Sequence, residues 1–142
     1  IEIPASLKTI EKYVFQGCKG LNNVKISDGI TKIYEGAFLG CTGLTEIEIP
    51  DSITFIDGYV FKKCSGLSKI DIPHNISHIS EETFAYCTGL TEVSIYNKGI
   101  GNNAFLGCKN LKKVTKEIFS FKLYYIITLK LELKQKHQLE RH

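Results

Sequence analysis

The apolar positions of this chain recur on a long beat. Written from its leading leucine, each unit carries L-x-x-I-x-I, then I-x-x-I, then F-x-x-C. In residues 44–66 these positions are Leu44, Ile47, Ile49, Ile53, Ile56, Phe61 and Cys64. The same skeleton runs through 21–43, 67–89 and, two residues shorter, 90–110; residues 1–20 form a truncated first unit and Leu111 to Val114 open another. Cys18, Cys41, Cys64, Cys87 and Cys108 mark the beat, 23, 23, 23 and 21 residues apart, each three residues after a phenylalanine. A repeat of roughly 20–50 residues indicates a solenoid, whose units bury their apolar faces only against their neighbours.

Spacing within a unit predicts one coil. Ile47 and Ile49 alternate with Glu46 and Glu48, the period of a short strand buried on one face. Pro50 has no N–H to give and ends the pairing. Asp51-Ser52 supplies a turn, after which Ile53 and Ile56 point back inward. Phe61 and Cys64, at i and i+3, share the face of a short helical or 3₁₀ turn. Gly66 offers a positive φ for the turn into the next strand. The expected fold is an α/β repeat solenoid, a right-handed coil of 23-residue units. Parallel strands form its concave face, short helical or 3₁₀ turns lie opposite, and residues 1–114 make about five coils. The 90–110 unit loses its two residues between Ile95 and Phe105, which tightens the return segment.

After Val114 the pattern stops, and 115–142 reads as a divergent C-terminal cap. Phe119, Phe121, Leu123, Tyr125, Ile127, Leu129, Leu131 and Leu133 take every second position, so a strand over 117–133 is preferred to a helix over 126–140. Residues 134–142 read as a frayed tail. Such a strand would either cover the last coil or leave an edge for self-association through 117–133.

At L-x-x-I-x-I-P and A-F-x-x-C the chain resembles the BspA-like, or Treponema pallidum-type, leucine-rich repeats. Tyr34 to Cys41 (YEGAFLGC) and Gly101 to Cys108 (GNNAFLGC) carry the likeness, which covers 1–114. Plant and intracellular leucine-rich repeats place Asn or Cys three residues after the strand's last apolar residue. Gly29, Ser52 and Asn75 stand there instead, so the ligands of those families do not transfer. The resemblance implies a surface or secreted protein of a bacterium or parasitic protist that adheres to host or matrix proteins.

Charge and cysteine chemistry narrow the function. The net charge of +3 lies wholly in 116–142, because residues 1–115 hold 12 Lys against 12 Asp and Glu. A neutral array is a poor match for nucleic acid, whose binding rests on phosphate neutralisation. No stretch approaches the roughly 18 apolar residues of a membrane helix. The chain opens mid-pattern without methionine and reads as a fragment or processed segment. Equivalent cysteines in stacked coils would lie near the strand spacing of about 4.7–4.9 Å, longer than the Cβ–Cβ distance of about 3.5–4.5 Å in a disulfide. Five free, buried and slowly reacting thiols follow. His74 and His78 make at most an incomplete metal site, and no metal or cofactor is expected. No nucleophile stands with a base and an orienting partner, so the chain reads as non-enzymatic.

The informative surface is the outward face of the strands. Its two columns are Asn23, Glu46, Lys69, Glu92, Lys113 and Lys25, Glu48, Asp71, Ser94, Thr115. Candidate partner-binding residues are Lys25, Glu46, Glu48, Lys69, Asp71 and Glu92, together with Phe55, an aromatic in a slot held by Lys32 and His78 elsewhere. Tyr13, Tyr34, Tyr59, Tyr86 and Tyr96 are secondary aromatic candidates. The reading that results is a protein–protein interaction module of a cell-surface or secreted adhesin-like protein. The alternative is an intracellular, cytoplasmic scaffold that never meets a host, and a weaker third is carbohydrate binding through tyrosines.

Overall fold

The computed structural model describes residues 1–95, 99–115 and 121–140, with side chains from 128 to 137 in the last segment. Each unit forms one coil with two short parallel strands. The concave strands are β1 (Glu2–Ile3), β3 (Asn23–Ile26), β5 (Glu46–Glu48), β7 (Lys69–Asp71), β9 (Glu92–Ser94) and β11 (Lys113–Thr115). The I-x-x-I return segments make a second series: β2 (Thr9–Ile10), β4 (Lys32–Ile33), β6 (Phe55–Ile56), β8 (His78–Ile79) and β10 (Gly99–Ile100). Register follows the repeat, with Val24 beside Ile47 and Ile33 beside Ile56. The core is a column per skeleton position, and Leu44, Leu67, Leu90, Ile30 and Ile53 are fully buried.

The side opposite the concave strands is built of hydrogen-bonded turns. Lys62 N donates to Tyr59 O and Cys64 N to Phe61 O, an i to i−3 pattern repeated in every coil. The phenylalanines stack as Phe15, Phe38, Phe61, Phe84 and Phe105, with centroids 5.3, 5.7, 5.6 and 5.4 Å apart and planes within 14°. Each following cysteine donates its thiol to the phenylalanine carbonyl one coil below: Cys41 to Phe15, Cys64 to Phe38, Cys87 to Phe61 and Cys108 to Phe84, at 3.0–3.1 Å. A valine would fill the space but leave that carbonyl without this donor. The beat therefore asks for cysteine because it needs a small apolar group with one weak donor.

All five thiols are free, but Cys18 is exposed, which corrects the expectation of five buried ones. Cys18 is the cysteine of the truncated first unit. Burial raises the thiol of Cys41 to about 11 and that of Cys108 to about 12, and pushes Cys64 and Cys87 up as well. At pH 8, a thiol-specific maleimide should label Cys18 within minutes and the other four only as the array unfolds. The raised values alone reduce the thiolate at Cys41 about 100-fold. Two or more fast thiols in the native protein would contradict the buried ladder.

Gly66 also needs correction, since it does not take a positive φ. A Cβ built on Gly66 would stand 2.7 Å from Thr42 O, and Gly43 and Gly89 crowd the carbonyls of Lys19 and Ser65 in the same way. The glycine is required by close backbone approach between coils. The left-handed residues sit elsewhere, at Tyr59 (φ 62°) and Lys63 (φ 62°) in the same unit.

The tail is a helix over the described residues, not a strand: α1 spans Phe121–Glu140. It also replaces the frayed segment at 134–140, while residues 117–120 and 141–142 lie outside the described residues. The segment lacks Gly and Pro and is rich in Leu, Lys, Glu and Gln, all good helix formers. Thr128, Leu131, Glu132 and Gln135, at i, i+3, i+4 and i+7, line its seam with Leu111, Lys112 and Val114. Leu131 is 5 % exposed, whereas Leu129 and Leu133 are 44 % and 48 % exposed, so the alternating leucines point to different sides. With no strand over 121–133, the edge-pairing route to self-association is lost there.

Candidate protein-binding face

The concave strands place the predicted charged residues in two columns, as the period requires. Glu2, Lys25 and Glu48 are direct neighbours in one. Lys69, Glu92 and Lys113 are neighbours in the other, and Asp71, Ser94 and Thr115 continue the first column beyond the coil of β5. Asn23 Nδ2 donates to Glu46 Oε2 at 3.3 Å, and Lys113 reaches Glu92 at 3.4 Å.

The face is not continuous. Strands β1, β3 and β5 form one sheet and β7, β9 and β11 another, and the return strands break at the same level, between β6 and β8. Elsewhere Thr45 N donates to Asn22 O and Thr91 N to Ser68 O; the equivalent bond from Ser68 to Thr45 is absent among the described residues. At the return strands Ser80 Oγ, not an amide, reaches Ile56 O at 2.7 Å. The other side of this junction is intact. Tyr59, Phe61 and Lys63 amides donate to Glu81, Thr83 and Ala85, and Lys62 pairs with Glu82 at 2.9 Å.

Glu48 and Asp71 mark the break on the concave face. They are the one pair of like charges that follow each other along either column, and like charges directly opposite destabilise strand pairing. Between β5 and β7 an open cleft of about 530 Å³ results, lined by Thr45, Glu46, Ile47, Glu48 and Ile49 on one side and Ser68, Lys69, Ile70 and Asp71 on the other. Ile49 is only half-buried there, while its equivalents Ile26, Ile72 and Ile95 are buried. An apolar floor with a net acidic rim has formed within the strand face.

Of the predicted residues, Glu46, Glu48, Lys69 and Asp71 line this cleft. Lys25 stands one strand away beside Glu48, and Glu92 beside Lys69. Phe55 lies apart, on the return strand β6, edge-on to Tyr34 at 6.5 Å. Tyr13 and Tyr86 are exposed, Tyr34 and Tyr59 half-buried, and Tyr96 lies outside the described residues. Sequence reasoning missed Ile49 as a partly uncovered group, because its spacing marks it as core, while Ile47 is buried as expected. His74 and His78 are exposed, and no cluster of metal-ligating side chains occurs among the described residues.

The family profile described as the BspA type leucine rich repeat region matches residues 1–120 in six copies. No curated protein matches the chain. Among solved structures, the Treponema pallidum leucine-rich repeat protein is 25% identical over 92% of this chain and 82% of its own, with a TM-score of 0.74. A leucine-rich cell surface protein of Faecalibacterium prausnitzii is 28% identical over 84% of this chain but 39% of its own, with a TM-score of 0.63. A leucine-rich repeat protein of Bacteroides ovatus is 29% identical over 75% of this chain and 34% of its own, with a TM-score of 0.56. With its period, its paired strand series and its phenylalanine–cysteine ladder, the chain belongs to the BspA-type leucine-rich repeat family.

Proposed function

We propose that this chain is a non-enzymatic protein-binding module of a surface or secreted adhesin-like protein, with its ligand seat at the β5/β7 cleft. The observation that carries the reading is the cleft itself, where four candidate residues surround a partly uncovered apolar floor. Protein interfaces combine a desolvated apolar centre with a polar rim, and the rim here holds three carboxylates against Lys69. The fitting ligand presents an apolar anchor flanked by basic groups. The surface protein of F. prausnitzii supports the location.

The test is binding to a panel of immobilised host extracellular-matrix proteins, comparing the full chain with an E46K/E48K/D71K variant. Binding should weaken by at least about 10-fold, the scale of several rim charges reversed together. Because E48K sets a lysine directly beside Lys25 in the β3/β5 pair, thermal stability is followed alongside, and an E46Q/E48Q/D71N variant, which adds no like-charge pair, should also bind more weakly than the parent while its stability changes little. A variant that binds as well as the parent, or a parent that binds nothing on the panel, would refute the assignment.

A further inference from the structure

The β5/β7 cleft is one side of a larger opening. At neighbouring junctions the later coil donates amides to the earlier one at equivalent positions. On the concave side these are Thr45 N and Glu46 N to Asn22 O, then Thr91 N and Glu92 N to Ser68 O. On the return side they are Thr54 N to Thr31 O and Asp57 N to Ile33 O. The equivalents between the coils of β5 and β7 are Ser68 N and Lys69 N to Thr45 O, Ser77 N to Thr54 O and Ser80 N to Ile56 O, and they are absent among the described residues. So is Ile49 N to Asp71 O, the counterpart of Ile72 N to Ser94 O. Side chains span the opening instead: Asn75 Nδ2 donates to Asp51 O at 2.8 Å and Ser80 Oγ to Ile56 O at 2.7 Å.

The turn side of the same junction is closed and tightened. Contact is tight at both ends of the opening: an added Cβ would stand 3.2 Å from Leu44 O at Gly66 and 3.1 Å from Glu81 O at Gly58. Between those ends the left-handed positions that hold Gly36 and Gly40 one coil earlier hold Tyr59 and Lys63, followed by Glu82 and Tyr86 one coil later. Lys62 Nζ reaches Glu82 at 2.9 Å and lies 5.4 and 6.0 Å from the ring centres of Tyr59 and Tyr86. Three of these four side chains thus meet one lysine across the junction, and that clamp offsets the strain of left-handed residues other than glycine.

We propose that this junction is a hinged gate on the cleft. The part of the array from β7 onward swings about the clamped turn side, and closing pairs β5 with β7 and β6 with β8. One rotation opens both strand series at the same level, whereas a defect in a single strand would leave the other series paired. Charge favours the open state. In the closed register Glu46 meets Lys69, but Glu48 meets Asp71, with Lys25 on the far side of Glu48 and the neutral Ser94 on the far side of Asp71. Closing covers Ile49 and removes the cleft. The role of the gate rests on the function proposed above: a ligand seated on Ile49 selects the open state, and closure expels it.

The test is amide hydrogen exchange, resolved by residue with NMR and run without ligand, on the full chain and two variants. Asp71→Lys carries the alternation of Glu2, Lys25 and Glu48 one step further, and E48Q/D71N removes the like charges without adding any. In both variants Ser68 and Lys69 on the concave side and Ser77 and Ser80 on the return side should slow together. The expected factor is at least about 5-fold, that of one net hydrogen bond, with Thr91 and Glu92 as internal references. Unchanged exchange in both variants would overturn the gate. Slowing confined to the concave amides would overturn it too, because the two sides would then not move as one. No ligand takes part, so a failed gate leaves the seat to the matrix-protein panel, and a failed panel leaves the gate standing.

Discussion

Replacing Phe61 with alanine is expected to cost about 3–5 kcal/mol, the range for truncating a buried phenylalanine, and to split unfolding into two transitions. Phe61 is fully buried and stacks on Phe38 below and Phe84 above. The upper stack crosses the junction where both strand series are broken. That junction is held by the turn-side amides, the Cys87 thiol on Phe61 O, the Lys62–Glu82 pair and the ring stack. A solenoid's stability is close to a sum of nearest-neighbour terms, and cooperativity survives only while the weakest junction couples its two sides. Phe38→Ala removes the same side chain from two junctions whose strands remain paired. It should lose comparable stability in a single transition. Urea titrations followed by circular dichroism distinguish the two, and hydrogen exchange should already run faster at Ser68 and Lys69 than at Thr91 and Glu92, whose amides both donate to Ser68 O, in the parent. A single transition in the Phe61 variant, or a split one in Phe38→Ala, would contradict the weak-junction account.

The coil was legible because one physical demand repeats. The L-x-x-I-x-I and I-x-x-I spacings fix which side chains face inward, and stacking turns them into columns whatever lies between. Four of the cleft residues could be placed on one face for the same reason. The break could not be seen in the skeleton, whose core positions at 44–66 and 67–89 are both regular. Its signal is a sign rule across the period: Glu2, Lys25 and Glu48 alternate, and then Glu48 is followed by Asp71. The two successive carboxylates stand in the sequence, but their consequence for hydrogen bonding depends on whether two strands meet. The reading of Gly66 differs because its surroundings are set by the coil below, whose Thr42 carbonyl presses against it. In the tail, alternation of apolar residues competed with helix propensity. Contact with Leu111 and Val114 is compatible with the helical face through Leu131, and the apolar alternation alone does not report it.

Raising the pH above about 9 should unfold the array cooperatively, with the four buried thiols as the main cause. In the unfolded chain a thiol ionises at its ordinary value, about 8.5. In the folded chain burial keeps the neutral form, up to about 11 at Cys41 and about 12 at Cys108, with Cys64 and Cys87 also raised. Between those limits the unfolded state binds fewer protons, so stability falls with pH. It is fully present below the ordinary thiol value and is lost as pH rises through the folded values. Each thiol contributes at most about 1.4 kcal/mol per pH unit, and four together at most about 5 to 6. A domain with roughly 5–15 kcal/mol of stability exhausts that within a few pH units, which places the unfolding midpoint at about pH 10–12. Urea titrations under reductant from pH 7 to 11 measure the slope directly. A C64A/C87A variant will be less stable at pH 7, having lost two packed thiols and their bonds to Phe38 and Phe61. Its pH slope should nevertheless be about half that of the parent. An unchanged slope would mean that other groups drive the alkaline transition and that the thiol ladder is silent in it.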